Sequence, residues 1–190
     1  MMVLKSMDKK IENYLRNSLS QEWAQIKKSK NFSKSDELNE FEKTLIWHYS
    51  DDGYESLNET LRNGGEISDF GKFLNIVLDK LPDYNLLCYR TIKSNKSQLQ
   101  KYYDALESNS VIIEKSFLSC SKSKMLASHF SSSPLFIIKS KKGKEIEKFA
   151  KFGIDSGQNE KEILFQPNAK FQVLDILEED GMITITLEEI

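Results

Sequence analysis

The sequence predicts an α+β fold, in which helices come first along the chain and short strands follow. Through the first 81 residues, apolar side chains recur at three- and four-residue steps, the period of an amphipathic helix. After Pro82 the apolar residues come instead in short runs, which is typical of strands. Helices and strands that are segregated in this way favour α+β over a doubly wound α/β fold, in which they alternate.

The first half is predicted to form amphipathic helices. One covers residues 8–28, and a polar break separates it from a second over 38–49. Ser56, with Glu59 three residues later, has the pattern of a capping box and predicts a short third helix. Ser68 is the predicted N-cap of a fourth helix with a stripe of Phe, Leu and Val side chains.

The second half is predicted to form short strands with two helices between them. The helices are expected at 96–107 and at KSKMLASHF, and Ser121 is a candidate cap of the latter. Asp180-Gly181 separates two alternating apolar runs, which is a strong signal for a hairpin. The predicted strands lie in NLLCYRTI, VIIEKSFLSC, LFIIK, KKGKEIEKF, EILF, FQVLDIL and MITITLE.

Length and composition limit the classes of protein that fit. A chain of 190 residues suits one domain, and residues 1–32 form a separable helical segment before a domain at 33–190, although the two are also compatible with one continuous domain. With 27 basic and 29 acidic residues, the net charge of −2 gives no general reason to expect a nucleic-acid or membrane partner. Cys88 and Cys120 lack disulfide-framework or metal-ligand spacing, so a reducing compartment is expected. The first residues lack the uninterrupted apolar stretch of a signal peptide, and no apolar run reaches membrane-spanning length, so neither a signal peptide nor a transmembrane helix is expected.

Three fragments carry unusual polar residues. Glu160 and Glu162 flank one lysine before the apolar run ILF; on a strand they would share a face and repel each other. Such a pair belongs on a solvated edge or serves chemistry. Arg90 ends the strand LLCYR. Its guanidinium group suits a phosphate, and the alternative is an ordinary surface arginine beyond the end of the strand. In SFLSCS, Ser119 and Ser121 have the ordinary roles of strand-end or capping residues.

Familiar nucleotide and hydrolase signatures do not occur in the sequence. GxxxxGK[ST], GxGxxG and GxSxG are absent. His48 and His129 lie in separate helical segments without neighbouring Cys or Asp clusters, so a metal site is not expected.

In their order along the chain, the three fragments resemble the Arg-Ser-Glu class of mono-ADP-ribosyltransferases. IWHYSDDGYESLNETLR is similar to a helical stretch of that family with two tyrosines and Asn-x-x-Leu-Arg. FLSCSKSKMLASHF resembles its Phe-x-Ser-Thr-Ser segment, and EKEILFQPNAKFQVLDI its Glu-x-Glu strand, turn and following strand. The resemblance covers about residues 38–188. Cys120 stands where the family usually has threonine, and KEIEKF lacks a serine often found there, but neither departure touches the three defining positions.

The resemblance implies a fold, a reaction and a site. The implied fold has N-terminal helices followed by a split β-sandwich that encloses an NAD cleft. The implied enzyme cleaves the nicotinamide–ribose bond of NAD, its co-substrate, without a metal. Glu162 is expected to stabilise the cationic ribose, Glu160 to orient or deprotonate the nucleophile, Ser119 to hold Glu162, and Arg90 to bind the phosphates. The expected NAD-binding side chains are those of Arg90, Phe117, Ser119, Ser121 and Glu162.

The acceptor of ADP-ribose is a macromolecule in this interpretation, and the first glutamate of the pair favours protein arginine. Nucleic acid as acceptor and simple hydrolysis of NAD are the alternatives, and a non-catalytic binding module is the least favoured. A toxin or effector is expected, with an antitoxin or immunity protein as a possible partner and no membrane. It is expected in the cytoplasm, or delivered into a target cell without a cleavable signal peptide.

Overall fold

A computed structural model describes the fold of residues 2–28, 37–94, 96–129, 133–154 and 156–190, with only the backbone described for 2–7 and Lys96. The chain forms two compact units, each built from two segments. The first unit combines Met1–Leu81 with Ile146–Asn159, and the second combines Pro82–Glu145 with Glu160–Ile190. The boundary expected after residue 32 lies outside the described residues and stays a prediction.

The first unit is helical. Its elements are α1 (Met2–Ser18), α2 (Ser20–Ile26), α3 (Glu40–His48), a π-helix (Tyr49–Gly53), α4 (Tyr54–Arg62) and α5 (Asp69–Leu78). The single helix expected over 8–28 is instead two helices, because Leu19 has a φ of −131°, outside the helical region. None of the described helices is long and apolar enough to cross a membrane.

The helix starts of this unit correct one prediction and confirm another. The capping box expected at Ser56 is wrong, because α4 begins at Tyr54 directly after the π-helix and Ser56 lies inside it. A capping box occurs instead at Asn39. Its side-chain oxygen accepts from the backbone N–H of Glu42, and the Glu42 carboxylate accepts from the backbone N–H of Asn39. Ser68 is confirmed as the N-cap of α5.

In the part of the second unit that the structure describes, there are a nine-stranded mixed sheet and two helices, so the α+β prediction is confirmed. The order of strands across the sheet is β1-β6-β7-β4-β2-β5-β9-β8-β3, and only β5 and β9 pair in parallel. The elements are β1 (Asp83–Tyr84), β2 (Leu87–Thr91), α6 (Lys96–Ser108), β3 (Val111–Glu114), β4 (Leu118–Ser121), α7 (Lys124–Ser128), β5 (Leu135–Lys139), β6 (Gly143–Glu145), β7 (Glu162–Phe165), β8 (Ala169–Glu179) and β9 (Met182–Glu189).

The sheet is divided between β2 and β4. These strands share one residue pair, Tyr89 with Ser121, whereas β2 pairs with β5 along its whole length. The antiparallel register would place Arg90 opposite Cys120 and Thr91 opposite Ser119, but the ladder stops before these pairs, and the Thr91 hydroxyl donates to the Ala127 carbonyl of α7 instead. A four-stranded group, β1-β6-β7-β4, therefore meets a five-stranded group, β2-β5-β9-β8-β3, at a single point.

The core of this unit lies where α6 covers the strands. Leu99, Tyr102 and Ala105 of α6 belong to one buried cluster with Cys88, Cys120 and residues of β5, β7, β8 and β9. This burial fixes which side chains of β4 and β7 face away from the core, because neighbours along a strand point to opposite faces.

The predicted hairpin between β8 and β9 is confirmed. Asp180 and Gly181 connect the strands with φ values of 49° and 76°. Two consecutive positive φ values are what a type I′ turn requires, and Asp-Gly is a preferred sequence for that turn.

Candidate active site

Two neighbouring strands place Ser119, Ser121 and Glu162 on one face of the sheet. Ser121 of β4 lies directly opposite Glu162 of β7, so both side chains point to the same side. Ser119 stands two residues before Ser121 and therefore shares that side, while Cys120 between them is buried in the core. From this position the Ser119 side chain is hydrogen-bonded to the Glu162 carboxyl group.

The Glu162 carboxyl group is the electrostatic centre of the site. Its residue is only 6% exposed, and this burial raises the pKa of Glu162 to about 7. The negative charge of Glu160 raises the pKa further, whereas the hydrogen bond from Ser119 and the positive charge of Arg90 lower it. Three residues, Arg90, Ser119 and Glu160, therefore act on the Glu162 carboxyl group.

Arg90 spans the division of the sheet. Its guanidinium Nη1 donates to the backbone carbonyl of Ser119, the group that lacks a β2 backbone partner once the ladder has stopped. A side-chain donor thus replaces a main-chain donor and satisfies a carbonyl that would be costly to leave unpaired. Arginine has five N–H donors in a planar fork, so this bond occupies one of several.

The expectation that Glu160 and Glu162 lie together on a strand is wrong. Strand β7 begins at Glu162, and Lys161 before it has a φ of 51°, in the left-handed region that lysine rarely adopts. Strand alternation therefore does not set the direction of Glu160. The Glu160 residue is half-buried, and this burial raises the pKa of its carboxyl group.

The hydroxyl of Ser121 is bonded within the protein. It donates to the backbone carbonyl of Glu160 over 2.7 Å and accepts from the Ser123 amide over 3.1 Å. The prediction that Ser121 caps α7 is thus wrong. The cap is Ser123, whose hydroxyl accepts from the backbone amide of Leu126. Phe117 is 2% exposed. That Ser121 and Phe117 contact NAD stays a prediction.

Within the helical unit, the stretch with two tyrosines and Asn-x-x-Leu-Arg also forms a connected cluster. The amide of buried Asn58 donates to the Tyr49 hydroxyl over 3.1 Å, and the rings of Tyr49 and Tyr54 meet edge to face with centroids 6.2 Å apart. The π-helix Tyr49–Gly53 lies between these tyrosines and brings their rings together.

Sequence reasoning missed Tyr89. This half-buried residue lies opposite Ser121 across the division of the sheet and so faces the same side as Glu162. Its place depends on the register between β2 and β4, which cannot be read from either strand alone.

Among the residues that the structure describes, no group of three or more His, Cys, Asp or Glu side chains could hold a metal ion. The expectation of an enzyme without a metal stays a prediction.

Comparison with known proteins gives a consistent result. The family model for NAD:arginine ADP-ribosyltransferases matches residues 3–190. A search of curated protein sequences gave no significant match. Among solved structures, exoenzyme S from Pseudomonas aeruginosa, bound to human 14-3-3 protein beta and carba-NAD, has a TM-score of 0.77 at 17% identity, covering 96% of this chain and 88% of that one.

Two further solved structures are similar to the chain. The eucaryotic mono-ADP-ribosyltransferase ART2.2 has a TM-score of 0.70 at 22% identity, covering 97% of this chain and 85% of that one. Vis, a toxin from Vibrio splendidus, in its complex with agmatine has a TM-score of 0.64 at 25% identity, covering 90% of this chain and 83% of that one.

Proposed function

Because the chain belongs to the NAD:arginine ADP-ribosyltransferase family, it is an NAD-dependent ADP-ribosyltransferase, and we propose that its acceptor is an arginine side chain of a protein. One observation supports the assignment of roles more than any other. A buried carboxyl group, that of Glu162, is hydrogen-bonded by Ser119 and feels the charges of Arg90 and Glu160. Buried carboxyl groups with several specific partners are characteristic of active sites.

In the proposed reaction, the bond between the nicotinamide nitrogen and C1′ of the ribose breaks, and its electron pair stays with nicotinamide. The leaving group is cationic in NAD and neutral once released, so no acid has to protonate it. The ribose becomes an oxocarbenium-like cation, which the ionised Glu162 carboxylate stabilises while it accepts a hydrogen bond from the 2′-hydroxyl. Glycosidases use carboxylates for a similar distribution of charge.

The other side chains of the site hold the reactants. Ser119 fixes the Glu162 carboxyl group through its hydrogen bond and supports the nicotinamide ribose. Arg90 binds the phosphates of NAD with the donors that remain beside its bond to the Ser119 carbonyl. Phe117 completes the NAD-binding set.

Glu160 acts on the acceptor. A guanidinium group is cationic, so a half-buried carboxylate attracts it and helps to strip its water. The guanidinium nitrogen then attacks C1′, and its proton passes to Glu160. Burial raises the pKa of Glu160, which makes it a stronger base than an exposed glutamate.

We further propose that the chain acts as a toxin or effector that modifies a target inside a cell. Two proteins of similar structure are of this kind: the type III effector XopAI from Xanthomonas axonopodis and the Vis toxin from Vibrio splendidus. An antitoxin or immunity protein in the producing cell is the corresponding partner.

The test is to incubate the purified chain with isotope-labelled NAD and separate pools of protein, RNA and DNA, and to map added ADP-ribose by mass spectrometry. The expected result is modification of protein arginines, with Glu162→Ala as the inactive control. Modification of nucleic acid, or release of nicotinamide without any transfer, would refute arginine as the acceptor. A wild-type chain that leaves NAD intact would refute the enzymatic assignment itself.

A further inference from the structure

We infer that the hydroxyl of Ser121 is a positioning group that aims Glu160 at the acceptor, so that Ser121 governs transfer rather than cleavage of NAD. This inference rests on the proposed function and deepens it. It assigns Ser121 a task in the second half-reaction, in place of contact with NAD. We call the hydrogen bonds from the end of β4 to the backbone of Glu160 and Lys161 the Glu160 anchor.

The Glu160 anchor consists of two parallel attachments. The Ser121 hydroxyl donates to the Glu160 carbonyl over 2.7 Å, and the Lys122 amide donates to the Lys161 carbonyl over 2.9 Å. Both carbonyls belong to residues before the start of β7; the bond from Lys122 to Lys161 continues the register of the ladder by one pair, and Glu160 lies beyond it. The end of β4 therefore continues to bind the backbone after the regular pairing has ended at Ser121 and Glu162.

The backbone between the two glutamates needs such an attachment. Lys161 has a φ of 51°, and for a residue with a Cβ atom the left-handed conformation costs about 1–2 kcal/mol. A conformation of this kind persists only where the surroundings hold it. Without the turn at Lys161, an extended chain would carry Glu160 onto the face of the strand set by alternation.

The same hydroxyl also receives a bond from the next element. Ser121 Oγ accepts from the Ser123 amide over 3.1 Å, and Ser123 caps α7. Ser121 is only 7% exposed, so both of its bonds lie away from water. One side chain thus joins the end of β4, the start of α7 and the backbone of Glu160.

The anchor separates the roles of the two glutamates. Glu162 lies in the ladder of β7 and is held by Ser119, so its position does not depend on the Ser121 hydroxyl. Glu160 lies outside the ladder and depends on it. Loss of the hydroxyl should therefore loosen Glu160 and reduce transfer, while cleavage of NAD at Glu162 continues.

The test compares Ser121→Ala, Ser121→Thr and the control Ser128→Ala, which removes an exposed hydroxyl of α7 that bonds only its own helix. For each, release of nicotinamide and transfer to agmatine, a small guanidine acceptor, are measured in the same reaction. Ser121→Ala is expected to lower the ratio of transfer to hydrolysis at least about tenfold, the equivalent of one lost hydrogen bond. Ser121→Thr, which keeps the hydroxyl, should restore the ratio, and Ser128→Ala should match wild type.

A second measurement follows the backbone itself. Amide hydrogen exchange of Lys122 reports on its bond to the Lys161 carbonyl, and Ser121→Ala is expected to speed this exchange at least about tenfold. Lys161→Gly should keep the wild-type ratio, because glycine adopts positive φ freely, whereas β-branched Lys161→Val should lower it.

The outcomes distinguish the inference from the proposed function. Wild-type transfer to agmatine together with an unchanged ratio in Ser121→Ala would overturn the inference alone, as would an equal loss of transfer and hydrolysis. A wild-type chain that releases no nicotinamide would overturn the proposed function and the inference with it. Slow exchange at Lys122 in Ser121→Ala would show that the anchor does not need the hydroxyl.

Discussion

Glu162 has to be ionised to stabilise a cation, yet its surroundings oppose ionisation. Burial raises the pKa of its carboxyl group to about 7, and only the Ser119 hydrogen bond and the Arg90 charge work in the other direction. A cationic substrate placed beside the carboxylate favours its charged form. In the proposed reaction NAD itself therefore adds a second positive charge beside Glu162, in addition to that of Arg90.

The two glutamates should differ in what their removal costs. Glu162→Ala is expected to lower the release of nicotinamide at least about 100-fold, because the cationic ribose loses its carboxylate. Glu160→Ala should lower transfer at least about 100-fold, because the acceptor loses its base, while hydrolysis stays within about tenfold of wild type. Nicotinamide release and agmatine modification, measured together, check both. Wild-type release of nicotinamide by Glu162→Ala would remove the basis of the assignment.

The rate of NAD hydrolysis should depend on pH. In the proposed mechanism the active form of Glu162 is the carboxylate, so kcat/KM, which reports on the free enzyme, should fall as the pH drops through about 7. The fall should approach about tenfold per pH unit on the acid side. Initial rates between pH 5 and pH 9 measure this profile. A flat profile across that range would mean that no group of this kind limits cleavage.

Burial of Glu162 should also cost stability, in a way that depends on pH. The folded pKa of about 7 lies above the ordinary value of 4.5, so the native state holds the proton more tightly than the unfolded chain does. The free energy of unfolding is reduced little near pH 4.5. The reduction grows as the pH rises to about 7 and is constant above that. Glu162→Gln should therefore raise the unfolding free energy by about 3 kcal/mol at pH 8.

Urea unfolding at pH 5 and pH 8 measures this gain, with Glu179→Gln as the control at an exposed position of β8. The advantage of Glu162→Gln should shrink markedly at pH 5. An equal gain at both values would assign the effect to packing instead of charge.

At the scale of elements, local patterns in the sequence predicted strands better than they predicted strand ends. The Asp-Gly hairpin and the strand at EILF follow from residue types alone, and both are present. The sequence predicts Glu160 inside a strand, because residue types give no sign that Lys161 adopts a left-handed backbone conformation and ends the strand before Glu160. Ser56 was expected to start a helix because its spacing to Glu59 fits a capping box, but the π-helix before it carries the chain into α4 without a break.

The contact between β2 and β4 is the element-scale feature that the sequence could not predict. Tyr89 and Arg90 acquire their places from one residue pair and from the division of the sheet beyond it. Pairing between strands remote in sequence depends on register, which side-chain patterns leave open where only one pair forms. The resemblance to a known family identifies Arg90, Ser119 and Glu162 as candidate residues. The bond from Arg90 to the Ser119 carbonyl depends on the three-dimensional arrangement of the strands and has no signal in the sequence.

Arg90 should therefore contribute to stability as well as to binding of NAD. Arg90→Ala leaves the Ser119 carbonyl without this donor and is expected to cost about 1–3 kcal/mol in the free energy of unfolding. Arg90→Lys keeps a charged donor and should recover part of that loss, but its KM for NAD should stay raised because an ammonium group lacks the planar fork.

Urea unfolding and steady-state kinetics separate these two effects, with Lys139→Ala as the control for an exposed cation on the neighbouring strand β5. Wild-type stability of Arg90→Ala would show that the bond across the divided sheet contributes nothing.

At the scale of the whole chain, the basic residues are very unequally divided between lysine and arginine. Of the 27 basic residues, only Arg16, Arg62 and Arg90 are arginines. Arg16 is bonded to Glu12 and stacked on Trp23, and Arg90 is bonded to the Ser119 carbonyl. An enzyme that modifies arginine but not lysine would find little to modify on its own exposed surface.

Self-modification therefore tests the acceptor. After incubation with NAD, the intact mass of the wild-type chain should show at most two added ADP-ribose groups, which would lie on exposed Arg16 and Arg62. Heavy labelling, which could arise only at lysine or other residues, would contradict arginine specificity. Glu162→Ala incubated in parallel gives the background from chemical attachment.

The order of strands has a consequence for how the enzyme comes into being during translation. Strand β7, which carries Glu162, inserts between β6 and β4, two strands that the ribosome makes earlier. Until residue 165 has been polymerised and released from the exit tunnel, these two strands lack the neighbour that joins them, and no acidic pair exists. A product that terminates before residue 162 lacks the acidic pair, and we expect it to leave the NAD pool of the cell that synthesises it intact.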